Sequence, residues 1–343
     1  MKKFLNTLFV TTDGAYLHKD RETVVVEIER KKVLQLPLLS LSNIFCFGSI
    51  VLTPQFMFAC SEKNIGIAFF NKYGRFQARV QGPQTGNVLL RRQQYRWADD
   101  PEKTVAISRY IIASKIANSR TVIQRMLRNN PDCQGITELK IAVTELKRTL
   151  QKIQTISDLD ILRGKEGETA NRYFKIFQHL ITKQTEDFIF SGRNRRPPRD
   201  SVNALLSFIY AIMLQDCVSA LEGVGLDPYV GYLHRDRPGR QSLALDLLEE
   251  FRAFLGDRLA LSLINLQKIK KKDFRYSENG AVLMSDDARK TLLEAYQKRK
   301  QETLKHPVLK EDIKIGLLFH AQALLLSRHI RGDLDYYPAF IWR

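Results

Sequence analysis

Gly82-Pro83-Gln84-Thr85-Gly86 decides how this 343-residue chain is read. Two glycines and a proline within five residues break any regular element, and the periodicity differs on either side of them. Upstream, residues 7–10, 15–18, 23–29 and 33–37 carry β-branched or alternating apolar residues, the pattern of short strands. Residues 44–52 and 65–70 are continuous apolar runs suited to buried strands. A helix is expected over residues 54–63 between them, with turns at Asp13-Gly14, Lys19-Asp20 and Tyr73-Gly74-Arg75. Downstream the chain becomes rich in Ala, Leu, Lys, Arg and Gln, and takes a helical period, as in Ile107, Ile111, Ile112, Lys115 and Ile116. Asn129-Asn130-Pro131 stops that helix, and another is expected from residue 136 to about 156. The predicted class is therefore α+β: a mostly β domain over residues 1–82, a linker at 83–87, and a larger, mainly helical domain over 88–343.

Apolar residues make up 44% and charged residues 27%, which fits ordinary globular packing and excludes a disordered or fibrous chain. The formal net charge is +17, which favours polyanionic partners, nucleic acid first. The excess is spread over the chain: residues 1–82 hold 11 Lys+Arg against 6 Asp+Glu, and the remainder 43 against 31. Cys46, Cys60, Cys133 and Cys217 form no CxxC pair, so they read as free thiols in a reducing compartment rather than a zinc ribbon or disulfide scaffold. The apolar start MKKFLNTLFV is too short for a signal peptide, and no run is expected to span a membrane. A cytoplasmic protein is expected.

Two loops carry arginine in a setting suited to phosphate. SGRNRRPPRD, residues 191–200, spaces Arg193, Arg195, Arg196 and Arg199 around two prolines that forbid helix. Residues 231–241 place His234 beside Arg235, Arg237 and Arg240. The acids are more specific. Glu166 is expected to open a helix in LRGKEGETANRYFKIF, where the helix dipole favours an acid. In SLALDLLEEFRAFL, Leu243, Leu247 and Phe251 form a buried stripe, while Asp246 and Glu249 are three residues apart and project within about 60° of each other. Close like charges cost energy unless a cation neutralises them, so a metal is a reasonable inference, with His234 one loop away. Spacing alone leaves the bland alternative open: an exposed histidine, and Asp246 paired with a nearby arginine.

Four segments carry a more specific signal: LRGKEGETANRYF, SGRNRRPPRDSVNALLSFIYAIM, GLDPYVGYLHRDRPGRQSLALDLLEEFR and the closing RGDLDYYPAFIWR. Together and in this order they resemble the CRISPR-associated spacer integrase family, the larger subunit of the CRISPR adaptation complex. FLNTLFVTTDGAYLH and QGPQTGNVLLRRQQYRWADDP further resemble its type I-C branch. The resemblance implies that Glu166, His234 and Glu249 are ligands of a catalytic Mg²⁺ or Mn²⁺, and that Asp246 is a supporting or alternative ligand. Many relatives carry Asp at the position of Glu249. It further implies that Arg163 and Arg252 contact DNA or steady the acids, and that Asn203 and Tyr210 lie near the site. Arg193, Arg195, Arg196, Arg199 and Arg235 are expected to contact DNA. The implied reaction is attack by the 3′ hydroxyl of a captured DNA fragment on a phosphodiester at the edge of a CRISPR repeat. Family partners are a second copy of the chain, through the β-rich domain, and a small ferredoxin-like adaptation protein. An iron-sulfur exonuclease is a further possible partner in this branch. Two alternatives stand beside this reading: a stand-alone metal-dependent endonuclease, and a non-catalytic DNA-binding scaffold.

Overall fold

A computed structural model describes residues 6–82, 88–195 and 197–342, so the predicted linker at 83–87 and Arg196 lie outside the described residues. The predicted α+β class, β-rich first and helical afterwards, is the one observed. The chain forms two compact units. The first contains the described residues of Met1–Gly86 together with Leu292–Leu304 and Ile313–Leu318, and the second holds the rest. The downstream segments return to the first unit from more than 200 residues away, a non-local relation that no local breaker signal reveals.

In the first unit, strands β1 (Asn6–Val10), β2 (Tyr16–Asp20), β3 (Thr23–Ile28), β4 (Lys31–Pro37), β5 (Leu41–Phe47) and β6 (Val51–Leu52) precede helix α1 (Pro54–Glu62). Strands β7 (Gly66–Phe70) and β8 (Phe76–Val80) follow. They build two four-stranded sheets, ordered β1-β5-β7-β8 and β4-β3-β2-β6. Strand β5 is central and covered on both faces, which explains its unbroken apolar run. Ile44 and Cys46 join the core formed with Leu17, Val24 and Phe56, while Phe45 and Phe47 pack on Phe70. On that second face Lys300, itself buried, donates to Thr7 of β1 at 3.1 Å. The expected strand over 44–52 is broken at Gly48, whose φ of +91° suits a glycine. The turn expected at Lys19-Asp20 falls two residues later, at Arg21-Glu22, with Arg21 at φ +50°, and β8 had no expectation of its own.

The second unit starts with α2 (Val88–Asp99), α3 (Pro101–Asn129), α4 (Ile136–Lys152) and α5 (Leu159–Lys175). It continues with α6 (Ser201–Gly223), α7 (Ser242–Glu249) and α8 (Arg258–Asn265). Asp100 caps α3 by accepting from the amides of Glu102 and Lys103, with Pro101 at the first helical position. Contrary to the expectation of no membrane-length run, α6 is long and apolar enough to cross a bilayer, yet 78% of its apolar window is buried in the protein. It is the central helix of this unit's core.

The closing segment is fastened to α3 and to the end of α7. Asn118 donates to the carbonyls of Glu250 (2.8 Å) and Phe340 (2.9 Å) and accepts from the Trp342 amide at 2.8 Å. The Glu250 carboxylate accepts from the Phe340 amide (2.7 Å), from Gln322 (2.9 Å) and from the Tyr337 hydroxyl. Burial pushes the Glu250 carboxyl up to about 7, although those three donors favour its charged form.

Candidate active site

Four elements converge on one cavity of about 570 Å³ in the second unit. Helix α5 brings Arg163 and Glu166, α3 brings Lys115, the loop after α6 brings His234, and α7 with its continuation brings Glu249 and Arg252. Glu166 was expected to open its helix, but Asp158 caps α5, accepting from the Ile161 amide at 2.8 Å, and Glu166 lies mid-helix. The helix dipole therefore contributes little at Glu166. Beyond Glu249 the expected continuous α-helix loosens into a π-helical stretch, Arg252–Asp257, with both Leu255 and Gly256 amides bonded to the Phe251 carbonyl. Gly256 lets the Tyr210 ring approach closely, since a Cβ there would lie 2.8 Å from it.

His234 is held by its loop from three sides. Asp246, fully buried, accepts from the amides of Tyr232 (2.7 Å), Leu233 (3.0 Å) and His234 (2.9 Å), and from His234 Nδ1 at 2.6 Å. Gly231 is needed here, because a Cβ would meet Asp246 at 2.8 Å. Arg163 Nε donates to the Leu233 carbonyl at 2.7 Å. Gln94, fully buried on α2, donates to the carbonyls of Asp227 and Val230, both at 2.8 Å, and accepts from the Asp227 amide at 2.9 Å. A carboxylate only accepts hydrogen bonds, so the imidazole proton sits on Nδ1 and the Nε2 lone pair is left for another partner. Nε2 lies 3.8 Å from Glu249 Oε1.

The carboxylates are neutralised by the protein's own cations. Glu249 pairs with Arg252 (3.1 Å) and with Lys115 (2.7 Å), and Lys115 also pairs with Glu166. Burial alone would raise the Glu249 carboxyl, but the Arg252 and Lys115 cations hold it well below the usual carboxylate range. For Lys115, burial opposes the charge and the two glutamates outweigh it, so its amine is raised. The like-charge argument for a metal is thus met in part by Arg252, Lys115 and the donors around Asp246. Among the described residues no three His, Cys, Asp or Glu side chains stand ready as a metal group. The donor chemistry does fit one: two carboxylates and an imidazole with a free Nε2 suit Mg²⁺ or Mn²⁺.

Arg195, Arg235, Arg237 and Arg240 line the cavity, and Arg199 is exposed on the first arginine loop. Arg235 reaches Asp160 at 2.8 Å, which Arg163 also contacts at 3.0 Å. Arg193 and Asn203 are bonded to each other beneath the first arginine loop. Asn203 is fully buried and accepts from Arg193 (2.6 Å) and the Asn194 amide (3.0 Å), while its own amide donates to the Gly192 carbonyl at 2.8 Å. Arg193 also bonds Ser207 at 3.1 Å. These hydrogen bonds pin the loop. Tyr210 is likewise buried and donates to Asp257, which accepts from Tyr173 at 3.0 Å as well, while Arg252 lies 4.9 Å over the Tyr210 ring. Lys115, Gln94 and Asp257 carried no functional expectation. A lysine inside the isoleucine stripe of α3 was the available signal for the first, since an uncompensated ammonium has no place on an apolar face.

The family model described as CRISPR associated protein Cas1 matches residues 8–298. The chain is 50% identical over 343 residues, all of both chains, to a Chlorobaculum tepidum protein named CRISPR-associated endonuclease Cas1 1. It is 35% identical over 342 residues to a Geobacter sulfurreducens CRISPR-associated exonuclease Cas4/endonuclease Cas1 fusion, covering 98% of this chain and 60% of the fusion. In fold it is similar to a casposase bound to integration product, with TM-score 0.85 and 19% identity over 99% of this chain and 95% of that one.

Proposed function

Because this chain belongs to the Cas1 family of CRISPR-associated proteins, we propose that it is the DNA integrase of CRISPR adaptation, which inserts captured foreign DNA fragments into the CRISPR array. The observation that carries the reading is the convergence of Glu166, His234 and Glu249, from three separate elements, on one arginine-rimmed cavity. The 3′ hydroxyl of the fragment attacks a repeat phosphodiester; one P–O bond forms as the strand's own 3′ oxygen leaves, so no covalent enzyme intermediate arises. Glu166, His234 and Glu249 would hold Mg²⁺ or Mn²⁺, and such an ion would supply Lewis-acid stabilisation of the charge that develops on the phosphoryl and departing oxygens. Asp246 fixes the tautomer and angle of His234, and Arg252 pairs with Glu249 Oε1. Arg195, Arg199 and Arg235 take backbone phosphates at the rim, and Arg163 braces the His234 loop.

The finer elements of the reading rest on the sequence resemblance: the type I-C branch, cytoplasmic location, dimerisation through the β-rich unit, and assembly with a small ferredoxin-like adaptation protein. Association with an iron-sulfur exonuclease draws support from the 35%-identical relative in which an exonuclease, named Cas4, is fused to Cas1. A second reading, a stand-alone endonuclease, draws on the names of the relatives, since water can replace the DNA hydroxyl at the same site. Glu166→Ala, His234→Ala and Glu249→Ala are each expected to abolish strand joining with Mg²⁺ or Mn²⁺ while keeping the fold, because a shared cation site weakens when one ligand is removed. Parental joining by His234→Ala with both metals would overturn the ligand assignment.

A further inference from the structure

The side chain at the centre of the site is a lysine. Lys115 enters the cavity from α3, and its ammonium pairs with both glutamates, reaching Glu249 Oε2 at 2.7 Å. Two features distinguish this arrangement from an ordinary buried ion pair. Glu249 Oε2 is buried and its contact is the Lys115 ammonium 2.7 Å away, a mobile cation on a flexible chain rather than a fixed backbone donor. The charges also balance already: two carboxylates face Lys115 and Arg252. A divalent ion added beside Lys115 would leave a buried excess of positive charge, whereas one that replaces the ammonium leaves less. Arg252 is tied by its pairing to Glu249 Oε1 and its place over the Tyr210 ring, while Lys115 has four flexible methylenes and an open cavity to swing into.

We infer that Lys115 is a built-in counter-cation that bridges Glu166 and Glu249 until a divalent ion displaces it, so that metal entry is a cation exchange within the site. This inference rests on the metal reading of the preceding subsection. Lys115 is in this sense a positioning residue: it holds the half-buried Glu166 and the buried Glu249 together with their charges compensated before the metal arrives, and it competes with the metal afterwards.

The test is Mn²⁺ binding to the full-length, DNA-free protein by titration calorimetry, comparing the parent with Lys115→Met and Lys115→Arg. Methionine keeps an unbranched, flexible chain, shorter by the terminal atom, without the charge. Lys115→Met is expected to bind Mn²⁺ about tenfold or more tightly, to melt at lower temperature without metal, and to regain more stability on adding it. Lys115→Arg keeps the charge and is expected to bind no more tightly than the parent. Equal or weaker binding by a folded Lys115→Met overturns the inference. A measurement on the unaltered protein removes any dependence on that variant folding: Mn²⁺ is expected to speed acylation of Lys115 by an amine-reactive reagent, read by peptide mass spectrometry. Unchanged or slower acylation contradicts displacement. Glu166→Gln separates the two layers of argument. If it leaves Mn²⁺ binding unchanged, the metal site itself is wrong and the exchange falls with it; if it weakens binding while Lys115→Met has no effect, only the exchange is wrong.

Discussion

Asp246→Asn removes one charge and almost no volume, and the structure says where the damage goes. Each carboxylate oxygen serves two donors: Oδ2 takes the Tyr232 and Leu233 amides at 2.7 and 3.0 Å, and Oδ1 takes the His234 amide and Nδ1 at 2.9 and 2.6 Å. An asparagine has one acceptor oxygen, so its NH₂ must face two donors whichever way it is turned. Hydrogen bonds to a charged group are worth about 1.5–3 kcal/mol each, and the stranded donors are buried. A loss of about 3 kcal/mol or more is expected, which lowers the melting temperature of a unit this size by roughly 5–10 °C. If the NH₂ turns towards His234, Nδ1 must accept and the ring proton moves to Nε2, removing the lone pair that a metal needs. If it turns towards Tyr232 and Leu233, the loop that carries the ring is pushed out. Either way Mn²⁺ affinity should fall by about 10- to 100-fold. Calorimetric titration and a strand-joining assay measure both consequences. In a His234→Ala background the same change should still cost stability but little further Mn²⁺ affinity, because the group it positions is gone. Parental Mn²⁺ affinity and joining rate in Asp246→Asn would refute the positioning argument.

Replacing Arg195, Arg199, Arg235 and Arg237 with Gln should weaken DNA binding and flatten its dependence on salt, by about one counterion for each phosphate no longer neutralised; an unchanged slope would make these loops solvated turns. Arg193→Gln should instead lower the melting temperature, since its bonds go to Asn203 and Ser207; a fall in DNA affinity with the fold's stability unchanged would contradict that. Glu250 gives a pH signature: its folded pKa is raised to about 7 by burial, so folding takes up a proton between about pH 4.5 and 7, and stability falls as pH rises through that window. Glu250→Gln keeps oxygen for the Phe340 amide and Gln322, lets the Tyr337 hydroxyl turn to accept, and should melt higher relative to the parent at pH 8 than at pH 5. A pH-independent difference in melting temperature would contradict the burial argument.

The change from strands to helices was legible because periods of two and 3.6 residues leave different apolar patterns, and because the breaker cluster that begins at Gly82 separates them. The larger departures are non-local or cooperative. Leu292–Leu304 belongs to the first unit through pairings such as Lys300 with Thr7, which local periodicity does not encode. The π stretch after Glu250 reads as ordinary helix in sequence; its demand is the close packing of Gly256 on Tyr210. Among the site residues, Glu166, His234, Asp246 and Glu249 stand out in sequence, and the structure brings them to one cavity or its immediate support. Arginines are harder to read, because the same residue on a loop binds a phosphate or fastens the loop depending on what lies beneath it. Arg193 has Asn203 and Ser207 beneath it, while Arg195, two residues on, lines the cavity. Lys115 reads in sequence as one position in a helical stripe; only its convergence with α5 and α7 gives it chemistry.

Integration and nucleolysis share a metal site and differ in the attacking group, so the most direct test of the account is to remove that group. A DNA fragment ending in a 3′ dideoxynucleotide should bind normally, in the presence of Mg²⁺ or Mn²⁺ and the small adaptation partner, yet fail to become joined to repeat DNA. In-line attack needs the hydroxyl held against its phosphate, and loss of that one oxygen should remove almost all joined product rather than a modest fraction. The account predicts joined product only with a free 3′ hydroxyl; efficient nicking of the repeat with dideoxy-ended fragments or with none, and no joined product under any condition, would contradict it.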